Sequence, residues 1–425
     1  MKTLTPALSR GERGQDGARL YVRWIDRAGV ALTMILPLFL LHGRAPSDIT
    51  IVLIDLLFLW RSAAVRDWSW LRVTWVRIAL AWWVWLVLCS MPPADLAQAL
   101  AVVRFPLLPA ALSHWVLRET AVRAWVARLL RWSLIYITIQ CLWQFAFGYN
   151  LLGWPKGGDG ELTGPYTKPR AGPVLSRILF PPLLVWSTTR GRALLLMIGA
   201  VLLMMLVAQR LPLLLTFFGL FLTALLTPRL RPMVLWTAVA AGLLLAALPV
   251  VSPRASHRVE TEFTRQMSNF ESNHYGLILA RSVAIIRADP LFGVGFDGFR
   301  RLCDDPQYFQ GWHYAQTGDD GGGAGMCVQH PHNFYLQATV EGGLPGLALF
   351  VAMAVAWLVA IGRGLKGASP LRTGLFIAAC IHLWPIAGNT DWVAIPLVGY
   401  FLLQLGLALA EAQPYIPGPR PLREA

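Results

Sequence analysis

What limits this chain most is a succession of apolar runs separated by short gaps that carry arginine. A bilayer core ~30 Å thick requires about 20 apolar residues per helical crossing, and backbone facing lipid must satisfy its own hydrogen bonds. Runs of this length therefore read as membrane helices. A transmembrane β-barrel would show short alternating segments, and these runs do not alternate. With 56% hydrophobic and 14% charged residues, the 425-residue chain has too little polar material to clothe a water-facing surface.

The reading is thus an all-α, polytopic transmembrane helical bundle. Twelve candidate spans fall at 29–43, 48–64, 75–91, 96–117, 125–147, 173–189, 193–209, 211–227, 233–251, 333–361, 373–388 and 392–411. The first is short, and the fourth is interrupted by Arg104, Pro106 and Pro109. In domain terms, 1–28 is a basic cytoplasmic tail, 29–251 holds nine spans with an outer loop at 148–172, and 252–332 is a large periplasmic loop. Residues 333–411 hold the last three spans, and 412–425 form a second cytoplasmic tail. The N-terminal stretch is basic but has neither the short apolar core nor the small-residue cleavage site of a signal peptide, so it is expected to stay inside.

The net charge of +14 raises nucleic acid as a partner, yet the basic residues lie between apolar runs and form no recognition module. Topology accounts for them. With the N-terminus inside, 23 of the 37 Lys and Arg fall in cytoplasmic segments, at 2–27, 61–77, 118–131, 190–192, 229–231, 363–372 and 420–423. The short outer connections Pro92–Asp95 and Gly388–Asp391 carry none, which is the positive-inside asymmetry. The 19 Trp residues, many near segment ends, fit interfacial belts.

The loop from Ser252 to His332 concentrates Glu, Asp, Arg and His and is the candidate functional region. Its middle reads as a helix with Tyr275, Ile278, Leu279, Ser282 and Ile286 on one face, followed by the turn-forming PLFGVGFDGF. Cys89, Cys141 and Cys380 fall in spans as small apolar residues. Cys303 and Cys327 fall in the loop. If it faces an oxidising compartment they can form a disulfide closing about 25 residues, worth roughly 3 kcal/mol.

Several side chains can carry chemistry. His330 and His332 flank Pro331 where the polar loop meets an apolar run, and Asn333 follows as a good helix N-cap. Two histidines two apart can ligate a metal, cap the helix structurally, or orient and deprotonate a hydroxyl. No further ligand spacing accompanies the pair. Arg210, at a tight outer turn, is either a functional cation or one that snorkels to lipid phosphate. Arg281 interrupts the most apolar part of the loop, and a guanidinium there matches phosphate oxygens in pairs. Arg170 and Arg177 are weaker candidates of that kind, while Arg104 and Asp55, within spans, can pair with each other. Asp391, two residues after Asn389, can bond a histidine or a sugar, or cap a helix.

The order of an outer arginine turn, an arginine-bearing loop helix, PLFGVGFDGF, then His332–Asn333 followed by nine residues and Gly343–Gly346 resembles the O-antigen ligase and polymerase superfamily. The resemblance implies a glycosyltransferase of the bacterial inner membrane with its site facing the periplasm. It would take a glycan from undecaprenyl diphosphate and pass it to an acceptor hydroxyl, that of the lipid A core in a ligase. It further implies His332 as the catalytic residue, Arg210 and Arg281 as donor diphosphate ligands, and His330, Asn333, Asp391 and Arg177 in support. No metal and no cofactor is implied, and no nucleic acid. Leu211 and Pro212 follow Arg210 where the family commonly has small residues, and the Cys pair with its Gly-rich insert is not general to it. Ligation comes first among the readings, ahead of repeat-unit polymerisation and protein glycosylation. The rival from another class is a twelve-span transporter or flippase, which would place its critical charges at the bilayer midplane.

Overall fold

The computed structural model describes residues 10–91, 96–158, 160–251, 253–257, 264, 268, 274–308, 327–328, 330–386 and 395–413. Its helices are α1 (Arg10–His42), α2 (Arg44–Val65), α3 (Thr74–Cys89), α4 (Leu96–Ala101), α5 (Arg104–His114), α6 (Thr120–Phe147), α7 (Ala171–Ile178), α8 (Phe180–Trp186) and α9 (Arg190–Val207). After these come α10 (Arg210–Leu226), α11 (Arg231–Val251), α12 (Pro253–Ser256), α13 (His274–Ala288), α14 (Gly298–Leu302), α15 (Phe334–Gly362), α16 (Pro370–His382) and α17 (Ile395–Ala412). No strand occurs among the described residues, and one isolated bridge joins Tyr149 to Pro155. Among the described residues six helical segments are long and apolar enough to cross a membrane, and α3 and α10 are shorter apolar helices.

Several of the continuous runs in the sequence are broken rods. The run at 173–189 is α7 and α8, parted at Leu179 just before Pro181 and Pro182. The run at 96–117 is α4 and α5, with Pro109 inside the second. Arg104 at its start forms an ion pair with Asp48 at 2.7 Å and also acts electrostatically on Asp55, which stands two turns further along α2.

Helix α17 is the axle of the bundle, buried along nearly its whole length against α1, α5, α15 and α16. Glycine makes this close packing possible: a Cβ at Gly399 would strike Leu40, and one at Gly406 would lie 2.7 Å from Leu112. The bundle has two distinct ends. The starts of α6, α9 and α16 and the ends of α8, α10 and α15 share one of them, where Arg229 donates to the carbonyls of Ser187 and Thr188. The starts of α10 and α15, with α13 and α14, occupy the other.

Candidate functional site

The site is built on a break in α15. Gly343 takes φ 63° and ψ −165°, outside the helical region, and Pro345 supplies no N–H, so the carbonyls just upstream lose their helical donors. The loop Pro290–Phe296 replaces them. Val294 N donates to Val340 O at 2.8 Å and Gly295 N to Glu341 O at 3.1 Å, while Leu344 N donates back to Pro290 O at 2.8 Å. Trp85 Nε1 donates to Gly342 O at 2.7 Å, and Phe296 N donates to Ser90 Oγ at 2.9 Å, tying the arrangement to α3. Backbones approach so closely that a Cβ at Gly293 or Gly343 would run into main-chain atoms of the other segment. The two glycine motifs of the sequence are therefore one structure, a loop laid into a helix break.

Two residues before the break, the buried carboxylate of Glu341 accepts from Gln337 Nε2 at 3.0 Å and from Asp297 N at 3.2 Å. Sequence reasoning passed over Glu341. Its signal was a Gln and a Glu four apart on one face of an apolar span, where polar side chains are costly unless used.

At the start of α15, Asn333 is the N-cap, its Oδ1 accepting from Tyr335 N at 2.8 Å and Leu336 N at 3.2 Å. Its Nδ2 donates to Pro385 O, and Tyr335 donates its hydroxyl to Leu383 O at 2.7 Å, so the N-terminus of α15 is fastened to the end of α16. His332, just before the cap, has φ 56°. That left-handed conformation is uncommon outside glycine, though His and Asn enter it more readily than most. Its ring lies edge-on to His330 (centroids 4.5 Å apart) and to Tyr275 of α13 (6.2 Å). Burial holds the His330 imidazole down to about 4, so it is neutral at ordinary pH.

Tyr275, legible in the sequence only as part of an apolar face, lies beside this pair. Desolvation raises its phenol above the usual range even though 45% of the residue's surface is exposed; Arg210 works against that shift, and Glu161 of the outer loop adds to it. Arg210 and Glu161 thus both lie within electrostatic reach of the ring that meets His332. Nothing in the sequence pointed to Glu161. Leu162 N reaches Val207 O at 3.4 Å, which brings this loop beside the turn leading into α10.

Arg281 is turned inward. Only 1% exposed, it donates from Nη1 to Cys303 O at 2.9 Å and contacts Cys327 Sγ at 3.2 Å. Cys303 and Cys327 are joined as a disulfide, their Cα atoms 5.6 Å apart. The buried stripe of α13 runs through Leu277, Ile278, Arg281, Ser282 and Ile285, while Tyr275 and Leu279 face outward. The apolar face is rotated by about one residue because the helix packs on the Cys303 segment and on α15, not flat on a lipid surface. Arg177 is likewise buried in α7, with Nη1 donating to Pro173 O at 2.9 Å. Arg170 is exposed at the N-terminus of that helix. Asp391 and Asn389 lie outside the described residues. Among the described residues no cluster of three or more His, Cys, Asp or Glu is set to hold a metal.

An all-helical bundle with several apolar, membrane-length helices and a polar site gathered at one end defines a multi-pass membrane protein. Residues 178–351 match the family model described as O-antigen ligase, a stretch that contains Arg210, Arg281, the glycine loop and His330–Gly346. Over that stretch, which is less than half of its length, the chain is similar to the O-antigen ligase family. No curated protein matches the chain.

Proposed function

We propose that the protein transfers a glycan from undecaprenyl diphosphate to an acceptor hydroxyl at the periplasmic face of a bacterial inner membrane, the acceptor being a sugar of the lipid A core. The observation that carries this reading is the seating of His332: a residue of left-handed backbone just before the α15 N-cap, its ring against Tyr275, which Arg210 in turn reaches electrostatically. A proton acceptor and a permanent cation at one end of a membrane bundle suit attack by a hydroxyl on a lipid diphosphate sugar. Twelve crossings with both termini inside complete the topology that this reading adopts.

In the proposed reaction, His332 takes the proton of the acceptor hydroxyl as its oxygen bonds to the anomeric carbon. The bond from that carbon to the diphosphate oxygen breaks, and its electron pair leaves with the lipid diphosphate. Arg210 stabilises the charge gathering there, which a guanidinium does at any working pH. The chemistry needs no metal and no cofactor. Arg281, expected to share the diphosphate, is better suited by its inward guanidinium to position the disulfide segment that leads to His330.

The test supplies purified protein with a polyprenyl diphosphate glycan and either lipid A core or a second lipid-linked glycan. Elongation of the core supports ligation; elongation of the second glycan instead assigns polymerisation. Transfer to neither, or full transfer by His332→Ala, overturns the reading.

A further inference from the structure

At the end of the bundle away from His332, a groove of about 410 Å³ opens between α6, α8 and the start of α16. Its apolar floor is made by Leu130, Pro181, Val185 and Leu371, and two guanidinium groups, Arg128 and Arg131, stand along one wall. Among the described residues no acidic side chain lines it. Arg128 is held over the face of Trp125, 3.8 Å from the ring centroid, and bonds its own helix only weakly, Nε to Ala124 O at 3.4 Å. Trp125 and Trp132 flank it with 45% and 64% of their surfaces exposed, the placement of aromatic side chains at a membrane interface.

Two cations above an apolar floor fit an amphiphile with an anionic head. A soluble anion would gain nothing from the floor, and a zwitterionic lipid would leave the cations without a net counter-charge. Basic pockets between membrane helices on the cytoplasmic side are a recurrent setting for anionic phospholipid head groups. The sequence places 118–131 and 363–372 among the basic segments, and the groove is lined from the first by Arg128 and Arg131 and from the second by Ser369, Pro370 and Leu371.

We propose that the groove is a binding site for one anionic phospholipid, its phosphate between Arg128 and Arg131 and an acyl chain along Pro181, Val185 and Leu371. The lipid would brace α8, the short half of the broken pair α7 and α8, against α6. This inference rests on the membrane reading alone and is independent of the transferase assignment.

The full-length protein, purified in mild detergent, is exchanged into nanodiscs of phosphatidylglycerol and phosphatidylcholine in equal parts, and retained lipid is counted by native mass spectrometry. Wild type is expected to keep phosphatidylglycerol selectively. Arg128→Ala with Arg131→Ala should lower that selectivity about tenfold or more, the scale of two arginine contacts to a phosphate at a bilayer surface. Arg192→Ala with Arg363→Ala, which removes equal charge from exposed positions elsewhere, should change it little. Val185→Trp keeps both arginines and fills the floor, so it should also expel the lipid and covers the case in which the double variant fails to fold. Equal selectivity in wild type and in the folded groove variants overturns the proposal. So does an equal loss in the control pair, or displacement of the bound species by millimolar inorganic phosphate, which would assign the groove to a soluble anion.

Discussion

Val294 donates its amide to the carbonyl of Val340 across 2.8 Å, making good a hydrogen bond that α15 forfeits at its break. Through that bond and its neighbours, the glycine loop after α13 and the helix that begins at Asn333 become a single rigid piece. The rings of His332, which precedes that helix, and of Tyr275 on α13 lie 6.2 Å apart.

Substituting the glycines should separate these parts. Gly343→Ala puts a Cβ against the main chain of Leu291 at a positive φ, and Gly293→Ala puts one against Val340 O. Each should cost about 1–3 kcal/mol as strain at a special backbone position, read as a lower unfolding temperature in detergent. Transfer should fall with it. Gly191→Ala, at an open position, is the unaffected control.

His332 carries two demands, a left-handed backbone and a proton-accepting ring. Asn tolerates the first and lacks the second, so His332→Asn should keep thermal stability and lose transfer by about 10²–10⁴-fold. His332→Ala should lose both. Radiolabelled lipid diphosphate binding should survive in His332→Asn and weaken in Arg210→Ala, with Arg210→Lys intermediate because it lacks the planar fork.

Asn333→Ala removes the cap of α15 and the tie to Pro385 together. Loss of a cap costs about 1 kcal/mol, and Asn333→Asp should restore that part while leaving the Pro385 tie broken. A transfer rate that recovers less than the melting temperature in Asn333→Asp would separate positioning from stability.

Reducing the Cys303–Cys327 bridge, or making Cys303→Ser with Cys327→Ser, should lower stability by roughly 3 kcal/mol if the entropy of closing the loop dominates. Arg281→Lys should resemble the reduced protein, since a single ammonium cannot serve Cys303 O and the sulfur with the same geometry. Lipid diphosphate binding unchanged in Arg281→Lys supports the positioning role; a loss matching that of Arg210→Ala returns Arg281 to the donor site.

Burial holds His330 down to about 4, whereas a histidine in the unfolded chain titrates near 6.5. Between those values the unfolded chain binds a proton that the folded protein refuses. Stability should therefore fall as pH drops below about 6.5, and the fall should level off near 4. His330→Gln should flatten that portion of a melting-temperature profile, while chelators should leave turnover unchanged at any pH.

The class of fold was legible in the sequence because lipid imposes a simple rule: apolar runs of spanning length, with their arginines on one side. The same simplicity hid the breaks. Nothing local distinguishes the run at 173–189 as two half-helices beyond a pair of prolines, and a glycine at 343 reads as a packing residue until a loop is seen lying in the gap it makes. The residues of the site divide along the same line. His332 and Asn333 could be singled out as candidates because they adjoin each other and mark a helix start, and Arg210 because it is a cation at a turn between two apolar runs. Glu161 and Tyr275 reach the same place from loops far apart in the chain. Arg281 kept its importance and changed its direction, since which way a helix turns its guanidinium depends on what it packs against. By itself the sequence determined an all-helical membrane scaffold and the histidine at its edge, because periodicity and capping are written in neighbouring residues. Only the tertiary structure decided which carbonyls lack helical donors, which loop supplies them and which side chains meet His332, because those are contacts between segments that no local pattern records.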